Sequence, residues 1–80
     1  MSMSEIADLR QQIDLEYQAM QNAMVLFAEG NARHAFITAR MNGVGYYQRA
    51  LAVHIGKEAA GKFVYERYLA AIGEEIGSHQ

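Results

Sequence analysis

Eighty residues make one domain, and at that size a lone hydrophobic core supplies only about 3–5 kcal/mol unless disulfides, a metal or oligomerisation add to it. The chain has no cysteine, which excludes disulfides, thiolate metal sites and a cysteine nucleophile. With 51% hydrophobic and 20% charged residues and a net charge of −2, it is too apolar for a disordered polyampholyte and lacks the strong positive charge of a dedicated polyanion binder.

Met1-Ser2-Met3-Ser4-Glu5 lacks the basic, apolar and small-residue succession of a signal peptide. No apolar run approaches the roughly 18 residues that span a membrane, so a soluble cytoplasmic chain with no membrane partner is expected. Proline is absent, so no residue deletes a backbone donor and long helices are permitted.

The first helix is expected over about residues 4–29. Ile6, Leu9, Ile13, Tyr17, Met20, Met24 and Phe27 follow a 3-4-4-3-4-3 spacing that places them on one stripe roughly 80° wide. Ser2 with Glu5 fits a capping box, Ser4 is an alternative cap, and Glu5 and Asp8 suit the positive end of the helix dipole. Glu29-Gly30 is expected to stop this helix through a left-handed glycine, with Asn31 capping the next. So short a connection forces an antiparallel hairpin.

From 31 to 55 a second helix carries Ala32, Ala35, Phe36, Ala39, Gly43, Tyr46, Ala50 and Val53 on one face. Small residues at helical spacing let two backbones approach closely, so this row is expected to be a packing face. Ile37, Val44 and Leu51 form a second apolar row about 100–140° away around the helix, which would bury the helix on two sides. In Met41-Asn42-Gly43-Val44-Gly45 the helical projection assigns Gly43 to the small-residue face but leaves Gly45 on nearly the opposite side. A continuous helix is expected there, a break at Asn42–Gly45 being the alternative, since each interior glycine costs about 1 kcal/mol relative to alanine.

Gly56 can end the second helix. A third is expected over 57–76, with Tyr65, Leu69, Ile72 and Ile76 on one face, Val64, Tyr68 and Ala71 widening it, and Gly77 closing it. Phe63 falls on the far side, without an intramolecular partner. Residues 1–29 carry five acids against Arg10, whereas 30–57 carry Arg33, Arg40, Arg49 and Lys57 and no acid after Glu29. Acidic and basic helices side by side predict ion pairs within the bundle, which select register more than they stabilise.

Catalytic chemistry has little to work with here: one threonine, three serines near the ends and two aspartates. No nucleophile elbow, phosphate loop or zinc cluster is present, so hydrolase and nucleotide-dependent enzyme classes are excluded. A di-iron bundle needs Glu-x-x-His pairs, which are missing. His54 and Glu58 stand four apart but straddle Gly56, and one histidine and one glutamate are too few for a closed metal site. No catalytic, cofactor or metal site is therefore expected.

These patterns predict an all-α, three-helix single domain over 1–80: a long antiparallel hairpin, completed as a homo-oligomeric bundle by pairing through helices 2 and 3. The expected function is a non-catalytic interaction or scaffolding module, with Phe36, Ala39, Gly43, Tyr46, Tyr47, Ala50, Leu51, Tyr65 and Tyr68 as candidate interface residues. Arg33, Arg40 and Arg49 are candidate partner or anion contacts. Together with Tyr47 they would form the basic edge of a nucleic-acid reader, the alternative function, although nucleic acid is an unlikely partner for an acidic chain. A third reading, a bundle binding a small apolar ligand, rests on the tyrosines with Met20, Met24 and Phe27.

Overall fold

The computed structural model describes residues 2–26 and 29–73. Three helices follow one another: α1 (Ser2–Leu26), α2 (Gly30–Ile55) and α3 (Lys57–Tyr68), the last running into a π-helical turn, Leu69–Gly73. Among the described residues there is no strand, and the chain is all-α. Its long dimension, 42 Å, is set by the hairpin, because the 26 residues of α2 extend about 39 Å at 1.5 Å each.

The turns depart from expectation in detail. Glu29 lies outside α1 and serves as the N-cap of α2, its carboxylate accepting from the amides of Asn31 and Ala32. Gly30 is helical, so neither a left-handed Gly30 nor an Asn31 cap forms. A glutamate reaches those amides while also placing negative charge at the positive helix end. Ser4 lies inside α1 and cannot cap it. Gly56 behaves as expected: at φ 94° and ψ 154° it adopts a conformation that only glycine takes readily, donating to the Ala52 carbonyl at 2.8 Å and accepting from Ala60 at 3.0 Å. One residue thus closes α2 and opens α3. The expected close at Ile76–Gly77 lies outside the described residues, as does Phe27.

α2 is continuous through Asn42–Gly45. Its buried side is the row Ile37, Val44 and Leu51, with Val44 and Leu51 sealed from solvent against Ile13, Tyr17 and Met20 of α1 and Ala60 of α3. Each large side chain so buried contributes about 1.5–3 kcal/mol of transfer free energy. Most of the small-residue row meets the opposite fate: Ala32, Ala35, Ala39, Tyr46 and Val53 are exposed, Val53 to 83%. The division has a simple cause. Branched and long side chains remove more apolar area from water than alanine does, so the bulkier of the two rows takes the core.

α3 is rotated in the same sense. Ala60, Phe63, Val64, Tyr68 and Ala71 pack on the hairpin core, while Tyr65 and Leu69 are 61% and 43% exposed. Phe63, expected to be unpartnered, is held between the guanidinium groups of Arg67, 4.7 Å from the ring centroid, and Arg10 at 5.5 Å. Tyr17 and Tyr68 meet edge to face at 6.4 Å.

Candidate interaction surface

Charge pairing settles which sides of α1 and α2 meet. Arg40 donates to Glu16 at 3.0 Å, and His54 Nε2 stands 3.2 Å from Glu5, a pair that is ionic when the imidazole is protonated. Both bridge the acidic first helix to the basic second. α3 joins through Arg67, whose Nε lies 3.0 Å from Asp14, and Gln21 donates to the Ala71 carbonyl at 3.2 Å. A π-helical register shifts backbone carbonyls out of the usual ladder, and Gln21 satisfies one of them.

Gly43 sits where α2 crosses the Glu16 carboxylate. A Cβ there would collide with the outer carboxylate oxygen and stand 3.1 Å from its carboxyl carbon, so the flexible Glu16 side chain would have to turn aside from its place beside Arg40. A Cβ at Gly45 would meet only Arg49, at an ordinary 3.6 Å. The two glycines are therefore not equivalent, and of the two only Gly43 lies in a tight contact.

The remaining candidate residues divide between core and surface. Leu51 is fully buried and Tyr68 half-buried against Tyr17, so both belong to the chain's own core. Phe36 is half-buried beneath the Arg40 guanidinium at 5.5 Å. Ala39 is exposed, Ala50 is half-buried, and Tyr46, 63% exposed, packs edge to face on half-buried Tyr47 at 5.3 Å. Tyr65 is exposed on the outer side of α3.

Arg33, Arg40 and Arg49 do not form one free basic edge. Arg33 donates to the Met24 carbonyl at 3.3 Å and Arg40 is paired with Glu16, which leaves Arg49 as the one of the three without an ion pair or hydrogen bond among the described residues. Sequence reasoning expected the acids of α1 to answer the basic helix but not which acid meets which base, because that depends on the angle at which two helices meet.

A cleft of about 310 Å³ opens between α1 and α3, lined by Asp14, Tyr17, Gln18, Gln21, Arg67, Ala70 and Ala71. Its wall mixes polar side chains with apolar surface from Tyr17, Ala70 and Ala71, and Met20 and Met24 do not line it. The Tyr17 hydroxyl is buried with no hydrogen-bond partner among the described residues, and its pKa is raised by desolvation first and by neighbouring Tyr68 second. Among the described residues no group of three or more His, Asp or Glu is placed to hold a metal, and no helix is long and apolar enough to cross a membrane.

The fold and the surface define the chain as an all-α hairpin with a third helix laid against it. Comparison with known proteins gives no matching family model, no similar curated protein and no similar solved structure.

Proposed function

We propose that this chain is a non-catalytic helical interaction module that works as a homodimer. The observation that supports the reading is the uneven division of its apolar side chains: among the described residues seven are buried, while Val53, Tyr46 and Tyr65, together with Met3 and Val25 of α1, stand more than half exposed. Exposed aromatic and aliphatic groups on rigid elements are the composition of interface cores, and covering them offsets the small size of the internal core. The charged groups point the same way. Ion pairs consume the charges between the helices, so affinity for a partner has to come from apolar contact.

Sedimentation equilibrium of the full chain tests this. A dimer at micromolar concentration is expected, with a melting temperature that rises with protein concentration because association is linked to folding. A monomer whose cooperative melting is independent of concentration would overturn the proposal.

A further inference from the structure

We infer that the occupant of the exposed surface is a second copy of this chain, seated on the side of the α1–α2 hairpin that α3 leaves uncovered. This rests on the homodimer reading above and assigns it to helices 1 and 2, not 2 and 3.

α3 marks one side of the hairpin. On α2 that side is the one bearing Gln48, whose amide is the nearest group to a Cβ built at Gly61; on α1 it is the side of Tyr17 and Gln21. At about 100° per residue, Ala39, Tyr46 and Ala50 project about 160–180° from Gln48. Gln12 and Ala19 likewise project about 140–180° from Tyr17 and Gln21. These five residues therefore share the opposite side, and all are exposed or half-buried.

Area and charge both suit a copy. Two helices about 39 Å long and 8–10 Å apart present a projected face of about 700 Å², close to the roughly 800 Å² that each partner contributes to a stable interface. From Gln12 to the turn, and along the facing side of α2, the charged groups are Glu16 and Arg40, already paired with each other, and Arg49, at the rim about 60° around the helix from Tyr46; Asp8 lies at the open end. A two-fold axis sets like against like, so a face whose central charges are paired is the one that limits self-repulsion. The competing surface, the outer side of α3, is unsuited for that reason: Tyr65 and Leu69 stand among Glu58, Lys62 and Glu66. Ala39 and Ala50 add a geometric fit, letting a second hairpin approach to small-residue distance.

The test compares Tyr46→Arg and Ala39→Glu with Tyr65→Arg, all at exposed positions, by sedimentation of the full-length chain with helix content checked by circular dichroism. Wild type and Tyr65→Arg should be dimers of equal affinity. Tyr46→Arg and Ala39→Glu should each weaken the dimer by about tenfold or more while keeping their helix content. A dimer that Tyr65→Arg dissociates, and that Tyr46→Arg and Ala39→Glu leave intact, would overturn this assignment and spare the homodimer proposal. A wild-type monomer at these concentrations would overturn both, and would leave the face to an unlike partner.

Discussion

Gly43→Ala is expected to leave the stability of the chain almost unchanged although alanine is the better helix former. In an unobstructed helix interior the exchange gains about 1 kcal/mol. Here the added methyl meets the far end of the flexible Glu16 side chain, which has to turn aside and so loosens its bond to Arg40. The charge-assisted bond is worth about 1 kcal/mol once discounted for the partial exposure of Arg40. The two effects cancel to within about 0.5 kcal/mol. A double-mutant cycle with Glu16→Ala, read by urea denaturation, isolates the cause. With the carboxylate gone, Gly43→Ala should turn stabilising by about 1 kcal/mol, giving a coupling of about 1 kcal/mol. Equal stabilisation in both backgrounds would falsify the contact with Glu16.

Gly45→Ala, where the new methyl meets Arg49 at 3.6 Å, should stabilise the helix by about 0.5–1 kcal/mol in the same denaturation assay; a loss there would show that a second tight contact exists. At Gly56, whose φ is 94°, alanine should cost about 1–3 kcal/mol and loosen the α2–α3 junction, visible as faster amide exchange in α3. Leu51→Ala should cost about 2–5 kcal/mol because the side chain is fully buried, whereas Val53→Ala, two residues away and 83% exposed, should change monomer stability by less than about 0.5 kcal/mol. The reverse ranking would mean that the small-residue row, not Ile37–Val44–Leu51, faces the core. Tyr17→Phe removes a buried hydroxyl that has no partner among the described residues and should stabilise by up to about 1 kcal/mol. The same variant should blunt alkaline unfolding. Because the folded-state pKa of Tyr17 is raised, its contribution is complete below about pH 10, the unfolded value, and is lost as pH climbs through the higher folded one.

The sequence by itself determined that the chain is helical and that α2 ends at Gly56, but not how the turn before α2 is capped, which falls to Glu29 and not to Gly30 or Asn31. Periodicity marked α1 and α2, the absence of proline kept α2 whole across two glycines, and Gly56 was legible as a break because a single glycine can supply the positive φ that a one-residue turn needs. The complementary charges of α1 and α2 were legible too, as a tendency to pair. The choice of apolar row was left to the tertiary structure. α2 offers Ala39, Tyr46 and Val53 on one side and Ile37, Val44 and Leu51 on another, and local pattern weighs each as a plausible core. Burial is decided by what lies opposite, and only with α1 and α3 in place do Ile13, Met20 and Ala60 enclose the branched row and leave the small one in water. The same packing rotated α3 away from the expected Tyr65–Leu69 face and gave Phe63 its two arginines. It also gave Gly43 its tight contact, which comes from the side chain on the other helix, 27 residues earlier in the chain.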